Sequence, residues 1–201
     1  LRTPQHFQPT LLPGKKTAFM NLDRKNIPAY LQRKHLVAKN ESVQIQPFGD
    51  GIKNVVFKVN TEDRRMYVKQ ALSKAQVKER WWLDRKRIFQ ESACLDILAE
   101  ILPPEVVPEV ILEDRTDFVL VTSAPPKDAQ LWDQQLERGR IDLQIAAQCG
   151  ELLATVHNET IDNRDLKTLF KDTKPFEQLR LEPCYGRVVQ SFPDLKKIID
   201  A

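Results

Sequence analysis

Phe48-Gly49-Asp50-Gly51-Ile52-Lys53-Asn54, then Met66-Tyr67-Val68-Lys69-Gln70, then a helical stretch carrying Glu91, decide how the rest of this chain is read. Glycines in a turn let backbone N–H groups approach a phosphate, a strand lysine adds a point charge, and a helix carboxylate can hold that lysine in place. Before the glycine turn, Ser42-Val43-Gln44-Ile45-Gln46 alternates polar with β-branched residues. After it, Asn54-Val55-Val56-Phe57-Lys58-Val59 is more apolar, and the two runs predict a hairpin. Asn60 to Arg64 reads as a polar turn and Arg65 to Ala71 as a third strand bearing Lys69.

Three antiparallel strands need cover on a face. The segment from about Leu83 to Leu102 supplies it, with Ile88, Glu91, Leu95, Leu98 and Leu102 at spacings of three and four. That stripe turns Glu91 inward, where an unpaired carboxylate costs several kcal/mol, so a cation is expected beside it. Lys69 is the available one. Pro103, Pro104 and Pro108 stop the helix. Val110 to Leu112 and Phe118 to Val121 then predict two more strands around a turn at Glu113 to Thr116, which gives a five-stranded sheet.

Outside this unit the signals are simpler. Residues 1–22 predict an extended arm, and Ile27 to Leu31 with Leu36 and Val37 a short helix packed beside the first strand. Ser123-Ala124-Pro125-Pro126 breaks the strand pattern and puts a boundary near residue 124. The expected domains are thus an arm over 1–22, a sheet lobe over 23–124 and a helical part over 125–201. In that last part Leu143, Ala146, Ala147, Gly150, Leu153, Ala154 and His157 share one face of a helix capped by Asp142. His157 is expected to be a packed, hydrogen-bonded residue. Shorter helices follow at Asn163 to Phe170, Phe176 to Leu181 and Tyr185 to Ile199, separated by Pro175, Pro183 and Pro193.

The 31 basic and 28 acidic residues of the 201 give a net charge of +3 with both signs mixed, an ordinary surface that argues only weakly for nucleic acid, so no nucleic-acid partner is expected and a nucleic-acid-binding protein is the third reading. Trp81-Trp82 lies among basic residues, but Glu79 and Asp84 interrupt them, so the stretch reads as a solvated helix entry. The three cysteines, Cys94, Cys149 and Cys184, are far apart and read as reduced thiols of a cytoplasmic protein. No apolar run is long enough to span a membrane, no Ser-His-Asp pattern is visible, and three histidines argue against a zinc enzyme.

Gly49 to Phe57, Val68-Lys69-Gln70-Ala71-Leu72, and Trp82-Leu83-Asp84-Arg85 with Arg87-Ile88 ahead of Glu91 together resemble the 5-methylthioribose kinase family. That family belongs with the aminoglycoside and choline phosphotransferases of the protein-kinase-like fold. The resemblance runs from about Ser42 to Glu159, with a weaker echo at Phe176 to Pro183. It implies an α+β, protein-kinase-like N-lobe, a five-stranded antiparallel sheet with a covering helix, followed by the start of a helical C-lobe. By the same resemblance Gly49, Asp50, Gly51 and Asn54 cover the phosphates of ATP, Lys69 contacts the α- and β-phosphates, and Glu91 holds Lys69. The backbone of Val121, Thr122 and Ser123 would be the hinge that reads adenine.

The resemblance further implies ATP and Mg²⁺ as cofactors, with metal ligands expected outside this chain, and a small-molecule, sugar-like hydroxyl acceptor. A homodimer is left open. Family members carry a His-x-Asp catalytic loop, whereas Asn158 and Glu159 follow His157, so no catalytic residue is assigned. The chain starts at Leu1 and is expected to be truncated before that loop, inactive as given and part of an enzyme when intact. The alternative is a catalytically inactive, kinase-like module that binds nucleotide or acts as a scaffold. Asp117-Phe118 is set aside as a metal site, because Val119 replaces the expected glycine and the pair is read as strand. Ser123 to Pro126 lacks the acidic residues associated with methylthioribose kinase, which leaves the acceptor open.

Overall fold

The alternating and apolar runs form a five-stranded antiparallel sheet in the order β1-β2-β3-β5-β4. The strands are β1 (Gln44–Pro47), β2 (Asn54–Asn60), β3 (Arg65–Ala71), β4 (Val110–Asp114) and β5 (Val119–Ser123). The computed structural model describes residues 20–49, 51–78 and 80–199. The expected arm therefore lies outside the described residues as far as residue 19, as do Asp50 and Glu79. Side chains alternate along a strand. Phe57, Val59, Met66, Val68, Val119 and Val121 fill one core, and Ala71 and Leu120 belong to another.

The first core is closed by α1 (Ile27–Arg33), whose Ile27, Tyr30 and Leu31 are buried together with Leu22, Leu36 and Val37. Sequence reading put this helix beside the first strand. Ile45 of β1 packs against this core, and the helix also reaches to the opposite edge of the sheet, where the Tyr30 hydroxyl donates to Asp114 at 2.9 Å and Lys34 pairs with the same carboxylate at 2.6 Å. A buried carboxylate needs such partners. Burial alone pushes the Asp114 carboxyl up, but the bonds from Lys34, Tyr30 and the amides of Thr116 and Asp117 outweigh it and hold the group below the usual carboxylate range. Burial, with the Asp114 bond, pushes the Tyr30 phenol up.

Gln70 sits in the same layer, buried, donating to the carbonyls of Met20 at 2.8 Å and Asp117 at 2.9 Å while accepting from the Leu22 amide at 2.8 Å. The second core is closed by α2 (Arg87–Ile101), where Ile88 meets Ala71 and Leu120, with Phe89, Leu95 and Phe118 packed around them. This helix starts four residues later than its apolar spacing predicts. Leu83 is held in irregular structure, its amide donating to Ser73 O at 2.9 Å.

One turn and one helix also depart from expectation. Asp117 and Phe118 lie in the turn between β4 and β5 rather than in a strand, with Phe118 at φ +54°. Positive φ in an aromatic residue is strained, and here the ring stacks on Phe89 with centroids 5.6 Å apart while the Arg85 guanidinium lies 3.9 Å above it. Pro183 does not divide two helices: it lies inside a π-helix spanning Glu177–Gly186. The wider i→i+5 turn accommodates a ring that would clash in an α-helix.

The remaining elements are α3 (Trp132–Glu137), α4 (Leu143–Thr160), α5 (Arg164–Leu169), α6 (Lys174–Phe176), α7 (Arg187–Ser191) and α8 (Lys196–Ile199), with a 3₁₀ turn at Pro193–Leu195. Asp142 caps α4 as its sequence predicts, accepting from Gln144 N at 2.9 Å. None of these helices contains a buried residue, and Leu143 of α4 is 77% exposed. His157, expected to be packed, is likewise exposed, because nothing among the described residues covers its face of α4.

Candidate functional site

Lys69 lies on β3, between β2 and β5, paired with Val56 on one side and Leu120 on the other. Its side chain leaves the sheet on the face covered by α2, and Glu91 comes one turn into that helix. The Lys69 ammonium donates to the Glu91 carboxylate. The sequence puts Glu91 on the inward, apolar stripe of the helix with Lys69 as its cation. In the structure the side chains are 29% and 41% exposed, so the desolvation cost is small and a ligand can reach the charge.

Arg87 fixes where α2 begins. Its buried guanidinium donates to Leu72 O at 3.1 Å, to Asp84 O at 2.8 Å, to Asn54 Oδ1 at 3.0 Å and to Lys53 O. One side chain thus ties the exit of the glycine turn, the exit of β3 and the entry of α2 together. Burial pulls its guanidinium pKa down, while the charges of Asp84 and Glu91 oppose that pull. From the sequence Arg87 reads as part of the family resemblance and as one of the basic residues around Trp81-Trp82. The available signal was its place four residues before Glu91 on the same helix, which puts both on one face.

The glycine turn joins β1 to β2, and Phe48 N donates to Val56 O at 2.9 Å across its base. Gly49 has φ +79° and Gly51 φ +67°, and a Cβ at either would meet nothing within 4 Å. Glycine is required there for backbone conformation, and the space above both residues is open. Asp50 lies outside the described residues. Asn54, expected to face a ligand, instead uses its side-chain oxygen to accept from Arg87. Phe48 packs on Tyr67, ring centroids 4.8 Å apart.

Val121, Thr122 and Ser123 lie on β5, paired with Val68, Tyr67 and Met66 of β3, while Val121 and Thr122 also face Leu112 and Val110 of β4. The amide of Ser123 donates to Glu109 O at 2.9 Å and that of Ala124 to Arg65 O at 3.0 Å. The two residues that follow, Pro125 and Pro126, have no N–H to offer. The structure thus gathers the turn exit, Lys69 and Glu91 on one side of the sheet, and gives the expected hinge backbone to sheet pairing.

A cavity of about 400 Å³ opens beside Glu91, bounded by Lys53, Asn54, Cys94, Phe176 and Leu179. Its volume is in the range of small-molecule sites. The arrangement offers positive charge and open backbone around a half-exposed ion pair. Among the described residues, no group of three or more His, Cys, Asp or Glu side chains gathers as a metal site. No helix there is long and apolar enough to cross a membrane, and the three cysteines are free.

No protein-family model matches the chain. Methylthioribose kinase from Pectobacterium atrosepticum is 35% identical over 125 residues, which covers 60% of this chain and 30% of that protein. The methylthioribose kinase of Pectobacterium carotovorum subsp. carotovorum is 34% identical over the same length. That of Bacillus thuringiensis is 39% identical over 84 residues, covering 41% of this chain and 21% of that protein. The matched part of the chain thus spans less than a third of the length of these relatives, and it is to methylthioribose kinases that the chain is similar.

Proposed function

We propose that this chain is the ATP-gripping part of a small-molecule phosphotransferase of the methylthioribose kinase type, acting on a sugar-like hydroxyl. The contact of Lys69 with Glu91, beside the exit of a turn whose glycines have positive φ, carries the reading. The methylthioribose kinase relatives support it. In this reading residues 23–124 are the nucleotide lobe of a protein-kinase-like fold, and residues 125–201 belong to a larger helical lobe. The exposed Leu143 and Leu153 of α4 suit a helix that packs against further polypeptide.

The chemistry asked of these residues is positioning and charge neutralisation. Backbone N–H groups at Gly49 and Gly51 approach the phosphates, and Lys69, oriented by Glu91, sets its charge against them without acting as a nucleophile. An adenine at Val121 to Ser123 would draw on backbone groups that β3 and β4 already use, so most nucleotide affinity comes from the phosphate end. Mg²⁺ belongs to such a reaction, but the described residues do not gather a donor set for it.

Transfer of label from γ-labelled ATP to methylthioribose and related sugars, by the full-length natural protein, tests the proposal. Labelled sugar phosphate is expected, with turnover reduced about 10²- to 10³-fold in Lys69→Met, the range for losing one preorganised electrostatic group. Nucleotide binding without transfer to any acceptor would instead favour a catalytically inactive nucleotide-binding module.

A further inference from the structure

The N-terminal turn of α2 has no side-chain cap of its own. Uncapped helix starts leave amide donors that must be met from elsewhere. Here they are met partly by Asp84, whose carboxylate accepts from Lys86 N at 2.8 Å and whose carbonyl accepts from Arg87 N at 3.4 Å and from the Arg87 guanidinium at 2.8 Å. Asp84 is itself held from the other part of the chain: its amide donates to the Gln178 side-chain oxygen at 2.9 Å. The Trp81 indole donates to the Gln178 carbonyl at 2.9 Å. Gln178 sits near the start of the π-helix, within the Phe176 to Pro183 stretch that the sheet lobe's chemistry left unexplained. Gln90 adds a longer bond to Asp172 O at 3.3 Å.

We infer that Gln178 is a positioning residue for the nucleotide site, coupling the helical part to the glycine turn and to Glu91. The connection is continuous: Gln178 holds Asp84, the Asp84 carbonyl holds Arg87, and Arg87 holds Lys53 and Asn54 at the turn exit. Glu91 lies one turn along the same helix. Docking of residues 172–182 therefore sets the entry of α2, and with it the place of the carboxylate that orients Lys69. The inference rests on the nucleotide-site reading only for its consequence. The coupling itself is a property of the unliganded chain.

The test uses two substitutions in the full chain that leave the Gln178 carbonyl in place. Gln178→Met keeps the length and removes the oxygen that Asp84 N uses, whereas Gln178→Glu keeps an acceptor there. Amide hydrogen exchange is read without nucleotide. Gln178→Met is expected to raise exchange about three- to tenfold at residues 87–95 and 52–56, as loss of one such bond allows. Gln178→Glu is expected to stay within about twofold of the parent. Changes confined to residues 172–186, or equal changes in both variants, would overturn the coupling. A Mg·ATP titration of the same samples separates the two readings. If the parent binds no nucleotide, the proposed function fails while the exchange pattern still decides the coupling; if it binds, Gln178→Met is expected to weaken binding and Gln178→Glu to restore it.

Discussion

Replacing Arg87 by methionine keeps most of the buried stem and removes the guanidinium that joins three pieces of chain. Four acceptors lose a donor: the carbonyls of Leu72, Asp84 and Lys53, and the side-chain oxygen of Asn54. Two of them have another partner, since Lys53 O also accepts from Leu72 N at 3.1 Å and Asp84 O from Arg87 N at 3.4 Å. Leu72 O and Asn54 Oδ1 bear most of the loss, at about 1 to 3 kcal/mol each. The desolvation of a buried guanidinium is no longer incurred, and water enters from the adjacent cavity, so the net destabilisation falls near 2 to 3 kcal/mol. For a chain of this size that lowers the melting temperature by roughly 4 to 12 °C. Urea unfolding followed by the fluorescence of Trp81 and Trp82 measures it. Lysine cannot span the four acceptors with one ammonium, so Arg87→Lys should recover less than half of the loss. A methionine variant within about 0.5 kcal/mol of the parent would refute the reasoning, because an ordinary surface substitution falls in that range.

Three further perturbations follow from the same geometry. Gly51→Ala forces a Cβ into φ +67° with nothing within 4 Å to clash, so calorimetry should show a loss of about 1 to 2 kcal/mol from backbone strain alone. Gln70→Leu strands the Leu22 amide and two carbonyls in the α1 layer; a loss of about 2 to 4 kcal/mol and faster exchange at Leu22 are expected, and an unchanged Leu22 amide would contradict the assignment. Asp114 has its folded pKa below the unfolded value near about 3.9, so its contribution is present above that pH and is lost as pH falls through the lower folded value. Unfolding measured between about pH 5 and pH 2 should steepen more for the parent than for Asp114→Asn, which is less stable at neutral pH; parallel curves would contradict the pairing with Lys34 and Tyr30.

The strands were legible because their periods are short and local. Val55 to Val59 and Met66 to Ala71 reveal a hairpin through alternation and the polar turn at Asn60 to Arg64, and Lys69 and Glu91 follow from strand and helix spacing. The depth of their burial was not legible, since exposure depends on what lies over the sheet and not on the stripe of α2. The Tyr30 to Asp114 bond joins positions 84 apart in sequence, and Gln70 binds segments 47 and more residues away, which no local pattern announces. Arg87 reads as one more basic residue among Arg80, Arg85 and Lys86 until the fold brings Lys53 and Leu72 to it. His157 and Pro183 were misread for a related reason: an apolar helix face predicts a covering partner, and a proline predicts a break, but packing and helix type decide both.

Nucleotide titration with residue-level readout tests the central claim most directly. Mg·ATP added to isotope-labelled protein is predicted to shift the amides of Gly49, Gly51 and Ile52 saturably, with affinity falling at least about tenfold in Lys69→Met while the fold is retained. Saturable shifts confined to other surfaces, or an affinity indifferent to Lys69, would contradict the account.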